Sequence, residues 1–301
     1  MEKKISHSHD YDPALLERML FKVSKRWVAG YSNIEAINEA RKSNKRGMSA
    51  ILNYLGEGYT EKSQIDRSVL EYFSLLNLLK MNNIRSSISV KPTQIGLCIG
   101  YDICLENFGK ISQKAKQSGH FMWIDIEHSD FVEDTLSIYL KLFENNRNTG
   151  VAIQSYLRRS YSDLLHLMEN SANLRIVKGA YSGEKNDAYQ SNSEITQNYS
   201  RLMNVMLKES SYNGIVAIAT HDSNLIDEAL ALSTTGSIKI KNLQFQLLKG
   251  VRDELKKKIV NDGYIVSEYM PYGEKWLQYS LRRLRERKRN IFLLARSLIE
   301  S

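Results

Sequence analysis

Short β-rich segments alternate with amphipathic helical patterns along most of the chain, and this alternation limits the possible folds. There are eight β-rich segments, and they lie near Ile51, Ser89, Ile124, Ile153, Val177, Ala217, Phe245 and Val266. The patterns between them, such as IDRSVLEYFSLLNLLKMN and VEDTLSIYLKLFENN, are long enough for crossover helices. Eight alternating units predict an α/β fold of the (βα)8 TIM barrel type, with a doubly wound open sheet as the competitor. No GxGxxG sequence follows the first strand, which weakens the competitor.

The predicted elements fit a single domain. The chain has 301 residues, a length at which α/β barrels occur as one unit, and it contains no low-complexity segment or linker-like change in composition. We predict N-terminal helices over residues 1–45, where Pro13 opens one helix and Ser32 caps another. The eight strands and their crossover helices should occupy 47–272, and a final helix should occupy 274–299.

Cysteine content and hydropathy exclude several classes of protein. The two cysteines, Cys98 and Cys104, have no CxxC pairing, and so few thiols point to a reducing compartment, with the cytoplasm as the expected location. No apolar run approaches the roughly 18 residues of a spanning helix. The N-terminal sequence MEKKISHSHDYD has no hydrophobic signal core. We therefore expect a chain that neither spans a membrane nor is secreted.

The net charge of +8 is concentrated in a few places. Six cations lie among the eight residues of RRLRERKR at 282–289, and DELKKKIV at 253–260 adds three lysines on an amphipathic pattern. Such runs are usually solvated helix faces. A nucleic-acid-binding protein would contact RNA or DNA through the run at 282–289. Its binding would be salt-sensitive and would be lost on substitution of Lys288 and Arg289. That class offers no account of the polar strand ends described next, so we expect no nucleic-acid partner.

Polar residues stand at the carboxyl ends of most predicted strands. These residues are Lys91, Asp125, Glu127, Gln154, Lys178, Thr220, His221, Gln246 and Tyr269. In a barrel the carboxyl ends of the strands meet at one face, where the loops build the active site. Charged groups in a cleft are costly unless they are paired. The sequence therefore predicts a polar ligand at this face, or ion pairs such as one between Lys91 and Asp125.

The last predicted helix adds a second cluster. Tyr279, Arg282, Arg283 and Glu286 are spaced so that they share one helix face. Two guanidinium groups suit a carboxylate and a nearby glutamate suits an ammonium group, so this face complements an amino acid. An exposed basic helix with an internal ion pair is the alternative interpretation.

A series of motifs in order along the chain carries a family resemblance. The strings SVKPTQIG, WIDIEHS, QSYLRRS, LRIVKGAY, IATHD, FQLLKG and YMPYGEKWLQYSLRRLRER resemble the successive motifs of the proline dehydrogenase family, from about Gly47 to the C-terminus. The length is similar to that of the monofunctional microbial members. The resemblance implies a distorted (βα)8 barrel with FAD as cofactor, and a final helix that lies across the barrel mouth.

The same resemblance implies a role for individual residues. Arg282 and Arg283 would bind the proline carboxylate with help from Lys91, and Glu286 would face the ring nitrogen. Tyr269 and Leu248 would pack on the pyrrolidine ring, and Tyr279 would close the pocket. The catalytic positions would be Asp125 near the substrate and Arg175 beside flavin N5. The positions that match FAD contacts are Ile126, Gln154, Val177, Lys178, Gly179, Ala180, Thr220 and His221.

The chemistry of these residue types agrees with the implied reaction. A flavin that accepts a hydride gains negative charge, which nearby cations such as Arg175 and Lys178 stabilise. Gly179 and Ala180 are small, as close approach of the backbone to a cofactor requires. The implied reaction is hydride transfer from C5 of L-proline to flavin N5, which gives Δ1-pyrroline-5-carboxylate. The family passes the electrons to a membrane quinone, so peripheral association with the inner face of a membrane is compatible with the basic final helix.

Some positions depart from the family pattern. Gln244 replaces a common glutamate, Ser182 a larger aromatic residue or arginine, Pro92 a leucine and His128 a serine. None of these is among the residues assigned to the substrate carboxylate or to N5. The departures bear on binding strength and on the shape of the loops more than on the class of reaction.

Two other enzyme classes remain as alternatives. A class I aldolase also places a lysine at a strand end of a barrel, so Lys178 would form a Schiff base. A metal-dependent hydrolase would use His7, His9 and Asp10, although these residues precede the first predicted helix and do not lie on a strand. We expect no metal site.

Overall fold

Eight parallel strands close into a barrel in the computed structural model. The structure describes residues 20–180, 183–209, 211–235 and 242–286, with the backbone alone at 235 and 284–286. The strand order is sequential around the barrel. The strands are β1 (Ser49–Tyr54), β2 (Ser86–Val90), β3 (Phe121–Ile124), β4 (Thr149–Gln154), β5 (Leu174–Val177), β6 (Val216–Ile218), β7 (Leu243–Leu248) and β8 (Ile265–Tyr272). The prediction of a (βα)8 barrel is confirmed, and the open sheet is excluded.

Helices connect the strands on the outside of the barrel. The helices are α1 (Asn33–Lys45), α2 (Lys62–Met81), α3 (Tyr101–Ser118), α4 (Val132–Asn145), α5 (Ser160–Glu169), α6 (Asn192–Lys208), α7 (Ser223–Thr235), α8 (Asp253–Asn261) and α9 (Trp276–Glu286). Short 3-10 turns at Pro92–Gln94 and Ser129–Phe131 follow β2 and β3. Ser32 caps α1 as predicted, and Glu35 completes a capping box with it.

The strands are buried on both faces because helices cover their outer side and side chains fill the interior. All six residues of β4, TGVAIQ, are buried. The barrel closes where β1 pairs with β8 over six positions, from Ser49 opposite Ser267 to Tyr54 opposite Tyr272. This closure places the loop after β1 beside the segment that leads into α9.

An aromatic cluster holds α9 against the barrel. Phe21, Val28, Leu55, Trp276 and Tyr279 are buried together, which joins the segment before α1 and the end of β1 to the final helix. The Trp27 indole donates a hydrogen bond of 3.1 Å to Ser280. The final helix therefore lies at the face where the strands end, as the resemblance implies.

Parts of the predicted helices lie beyond the residues that the structure describes. The predicted helix start at Pro13 and the predicted continuation of the last helix to residue 299 are among them. Within the described ranges, no helix combines the length and the apolar character that crossing a membrane requires.

Candidate active site

A buried network of polar side chains lies inside the barrel at its carboxyl end. Arg175 on β5 forms an ion pair with Asp125, which directly follows β3. The same guanidinium donates to Ser89 Oγ over 3.1 Å, and Ser89 in turn donates to Asp125 Oδ1 over 2.7 Å. The hydroxyl of Tyr269 donates to the other oxygen, Asp125 Oδ2, over 2.8 Å. Four strands thus supply one network centred on the Asp125 carboxylate.

Arg175 occupies the middle of this network. Its side chain is 3% exposed, and its guanidinium carbon lies 5.0 Å from the centre of the Trp123 ring and 5.9 Å from that of Tyr269. It also donates to Gln246 over 3.4 Å. The Nε atom is buried and has no hydrogen-bond partner among the described residues. An unsatisfied buried donor is costly, so this N–H is a polar group that the described contacts leave uncompensated.

Burial and the neighbouring charge of Asp125 raise the pKa of Tyr269 well above its usual value. Its hydroxyl therefore stays protonated at neutral pH and donates to the carboxylate. Tyr269 and Ser89 leave Asp125 fixed in position by two neutral donors in addition to Arg175.

A second cluster lies at the barrel mouth, where Glu57 pairs with both Lys91 and Arg282. Glu57 follows β1, Lys91 follows β2 and Arg282 lies on α9. Burial alone would raise the pKa of Glu57, but Lys91 and Arg282 outweigh it and lower that pKa. The predicted ion pair between Lys91 and Asp125 was wrong: Asp125 is paired with Arg175 deeper in the barrel, and Lys91 turns toward the loop after β1.

A cavity of about 120 Å³ lies beside these charges. It is lined by residues of the loops after β1 and β2 and of the final helix, among them Tyr59, Lys91, Lys275, Tyr279 and Arg282. A cavity of roughly 150 Å³ admits benzene, so this volume suits a small ring. Cations and aromatic rings together favour a small anionic ligand.

Of the other predicted substrate residues, Tyr279 lines this cavity, whereas Arg283, Leu248 and Tyr269 are not among its lining residues. Arg283 donates to the Tyr279 hydroxyl over 3.1 Å, and Tyr279 is 8% exposed. Leu248, the last residue of β7, is the register partner of Tyr269. The backbone of Glu286 belongs to α9, whereas its side chain lies outside the described set.

The predicted cofactor residues lie at or just after the carboxyl ends of β3, β4, β5 and β6. Lys178 Nζ lies 2.8 Å from Asp222 and 2.9 Å from Thr196 Oγ1. The hydrogen bond from Lys178 lowers the pKa of Asp222. Gly179 has φ +102°, and a Cβ there would clash with the ring of Tyr156. This position therefore requires glycine.

The remaining cofactor positions have defined contacts or locations. Gln154 donates to the backbone oxygen of Glu127 over 2.6 Å, and His221 Nε2 accepts from the N–H of Leu248 over 2.9 Å. The N–H of Asp222 donates to Thr220 Oγ1 over 3.2 Å. Ile126 lines a small cavity between β4 and the helices α4 and α5. Val177 ends β5 as the register partner of Gln154, and Ala180 follows that strand.

The donor set fits a large anionic cofactor such as FAD. Lys178, whose side chain is 35% exposed, supplies a cation of the kind that binds phosphate or a reduced ring, and the buried Nε of Arg175 is a donor without a partner among the described residues. At Gly179 the space that a Cβ would take is filled by the ring of Tyr156, so packing against that ring explains the glycine.

Sequence reasoning missed Glu57, Ser89, Thr196 and Asp222. Glu57 lies in a Gly-Glu-Gly loop without periodicity, so no signal marked it. Asp222 directly follows the strand-end pair Thr220 and His221, and that position was a usable signal.

Glu127 does not join the site. Its carboxylate accepts from the N–H and the hydroxyl of Thr93, each over 2.8 Å, and burial raises its pKa. It stabilises the turn after β2. Across the described ranges, no group of His, Cys, Asp and Glu residues could hold a metal ion, and His7, His9 and Asp10 lie outside those ranges.

The fold and site define a (βα)8 barrel with a cationic mouth that is suited to a small anionic substrate. The proline dehydrogenase family model matches residues 36–293, so the chain belongs to that family.

Curated relatives extend over nearly the whole chain. A protein named proline dehydrogenase from Deinococcus radiodurans is 30% identical over 95% of this chain and 93% of its own length. Proline dehydrogenase 2 of Bacillus subtilis is 31% identical over 88% of this chain and 86% of its own length.

Solved structures share the fold. Proline utilization A from Bdellovibrio bacteriovorus, inactivated by N-propargylglycine, superposes with a TM-score of 0.83 at 23% identity over 90% of this chain. The corresponding protein from Corynebacterium freiburgense has a TM-score of 0.78 at 21% identity over 94% of this chain. This chain spans 33% of the length of each of these structures.

Proposed function

We propose that the protein is a flavin-dependent proline dehydrogenase, which oxidises L-proline to Δ1-pyrroline-5-carboxylate as the first step of proline degradation. One observation carries the proposal: Lys91 and Arg282 both pair with the carboxylate of Glu57 beside a cavity of about 120 Å³ at the barrel mouth. The Arg175–Asp125 pair lies in the interior of the same barrel. Family membership supports the same activity.

The cations at the mouth bind the substrate carboxylate. Arg282 and Lys91 are held by Glu57, and Arg283, the next residue of α9, donates to the hydroxyl of Tyr279 one turn earlier. Charge-assisted bonds from forked guanidinium groups are suited to a carboxylate. Glu286, one turn further along α9, is assigned to the ring nitrogen of proline, because its carboxylate complements the positive charge of that nitrogen.

Leu248 and Tyr269 form the apolar side of the substrate site. Leu248 ends β7 and is the register partner of Tyr269 within β8, so their side chains point to the same face of the barrel wall. Tyr279 shields the cavity from water on the side of α9. Asp125 holds the Tyr269 hydroxyl and so fixes the orientation of the ring.

FAD, when bound, supplies the hydride acceptor at N5. Arg175 and Lys178 provide the positive charge that stabilises the reduced flavin, because the attraction between opposite charges is stronger in a buried site than in water. The cofactor-binding side is formed by side chains and by backbone groups. The side chains are those of Ile126, Gln154, Thr220 and His221, and the backbone groups are those of Val177, Gly179 and Ala180. As the C=N bond of the product forms, C5 loses a hydride and the ring nitrogen loses a proton.

A membrane quinone is the proposed electron acceptor, and peripheral contact with a membrane surface would bring the two together. The basic run at 282–289 has the charge that attracts an anionic surface, although its residues from 287 onward are outside the described set.

The test is the visible spectrum of the purified protein under anaerobic conditions. We expect a flavin spectrum that bleaches on addition of L-proline and does not respond to D-proline. A flavin spectrum that is unchanged by L-proline would refute the substrate, and a colourless active protein would refute the cofactor.

The aldolase alternative is disfavoured by the contacts of Lys178. Its ammonium group is paired with Asp222 at 2.8 Å, whereas a Schiff base requires a neutral amine. Borohydride trapping distinguishes the two: covalent capture of a carbonyl substrate on Lys178 would favour the aldolase.

A further inference from the structure

A buried ion pair lies on the outer face of the barrel wall, away from the proposed substrate. Lys256 on α8 and Glu268 on β8 both have side chains with 0% exposure. The run DELKKKIV was expected to be a solvated helix face, and this expectation fails at Lys256, although the next two lysines are exposed. The position of Lys256 toward the barrel follows from the helical period, because Ile259, three residues later, is also buried.

All three donor positions of the Lys256 ammonium are used. It pairs with Glu268 Oε1, lies 2.6 Å from Asp253 Oδ1, and donates over 3.2 Å to the backbone oxygen of Leu248. On the other side, Glu268 Oε2 accepts from Ser43 over 2.6 Å and pairs with Arg46. The network therefore joins α1, α8 and β8 to the last residue of β7.

Stability alone does not account for this arrangement. A buried ion pair gains little over apolar residues of similar volume, because the desolvation of both charges offsets their attraction. An apolar pair could not, however, donate to the oxygen of Leu248. That bond is the specific feature that a lysine adds at this position.

The residue that Lys256 binds belongs to the proposed substrate site. Leu248 is fixed at both of its backbone groups: its N–H donates to His221 Nε2 over 2.9 Å, and its oxygen accepts from Lys256 over 3.2 Å and from the N–H of Val251 over 3.3 Å. The next N–H, of Lys249, donates to the oxygen of Tyr269 over 3.0 Å. Glu268 directly precedes Tyr269 and points to the opposite face of β8. The outer network is thus in contact with the end of β7 and with the residue of β8 that precedes Tyr269.

We propose that Lys256, anchored by Glu268, is a positioning residue that sets the substrate-facing wall formed by Leu248 and Tyr269. This rests on the proposed function in so far as the wall is assigned to the pyrrolidine ring. Lys256 does not touch the substrate, and it acts through the backbone of Leu248.

The test uses the FAD-loaded full chain with two variants. Lys256→Met removes the bond to Leu248 and leaves Glu268 with Arg46 and Ser43. The double variant Lys256→Met/Glu268→Leu also removes the remaining buried charge, so its thermal stability should recover relative to the single variant. Leu164→Ala on α5 is the control. Leu164 is fully buried, so its truncation leaves a cavity that destabilises the barrel without touching this network.

We expect both Lys256 variants to raise the KM for L-proline about tenfold with little change in kcat, since a small displacement of the binding wall weakens substrate binding. Hydrogen exchange should accelerate in the peptide that contains the amides of Leu248 and Lys249. Leu164→Ala should lower the melting temperature but leave KM and this exchange unchanged.

The outcomes separate the two proposals. A wild-type protein that does not oxidise L-proline overturns the proposed function. Unchanged exchange at 248–249 in Lys256→Met overturns the positioning role whatever the substrate is. A double variant whose KM returns to the wild-type value as its stability recovers also overturns it, because that result assigns Lys256 to stability alone.

Discussion

Replacing Arg175 by methionine tests the buried network most directly. The substitution keeps much of the aliphatic stem of the side chain but removes the ion pair with Asp125 and the bonds to Ser89 and Gln246. Asp125 then keeps two neutral donors, Ser89 at 2.7 Å and Tyr269 at 2.8 Å.

The expected loss of stability follows from these contacts. Breaking a buried ion pair by removing one partner costs about 3–5 kcal/mol. Because two donors to Asp125 remain, we expect the cost of breaking this pair to lie at the lower end of that range. Removal of the unpartnered Nε regains on the order of 1 kcal/mol. The net expectation for Arg175→Met is therefore a loss of about 2–3 kcal/mol in the free energy of unfolding, from the values above.

The assay is urea denaturation followed by circular dichroism at pH 7, with and without saturating FAD, because a bound cofactor stabilises the folded state by mass action. Arg159→Met is the matched control: Arg159 pairs with Glu133 and Asp163 at the surface with 41% of its side chain exposed, so we expect a loss below about 1 kcal/mol. If Arg175→Met costs no more than Arg159→Met in the flavin-free protein, the reasoning about the buried network is refuted.

Three further predictions concern the mouth and the cofactor side. Arg283→Met should raise the KM for L-proline about tenfold or more, the value of one charge-assisted bond, while FAD stays bound; loss of FAD with KM unchanged would contradict the carboxylate role. Lys178→Met should weaken FAD binding about 10- to 100-fold in a flavin fluorescence titration, and an unchanged Kd would remove Lys178 from the cofactor side. The folded-state pKa of Glu57 is lowered, so its ion pairs stabilise the protein above the unfolded value of 4.5 and lose that contribution as pH falls through the folded pKa. The difference in melting temperature between wild type and Glu57→Gln should therefore shrink on acidification below that value, and a constant difference from pH 7 to pH 3 would contradict the pairing.

The strands and their order were predictable because the hydrophobic pattern is strong and local. LRIVKGAY reads as a buried strand with two cations, and the structure separates their roles: Arg175 lies within β5 and faces the barrel interior, whereas Lys178 follows the strand and reaches Asp222. The alternation of a strand predicts which face a residue takes. It does not predict the partner, which depends on the neighbouring strands.

Pairings across loops and between layers were not predictable. Lys91 was expected to meet Asp125, but the course of the loop after β1 brings Glu57 to it. Lys256 was expected to be solvated, since three consecutive lysines resemble a surface run, and only the packing of α8 against β8 buries one of them with Glu268. Both errors arise because burial and ion pairing depend on contacts that are distant in sequence.

The mouth of the barrel also has a consequence for folding during synthesis. Glu57 and Arg282 are separated by 225 residues, and the strands that frame them, β1 and β8, are the first and last of the barrel. Contacts of such long sequence separation form late, after the loop between them has been closed. A chain that has not yet emerged beyond β8 can form several βα units, but it has neither the closed wall nor α9. The ion pair between Glu57 and Arg282 therefore forms only once α9 is present, and a truncated chain that lacks α9 would lack Tyr279, Arg282 and Arg283, all proposed to form the substrate site.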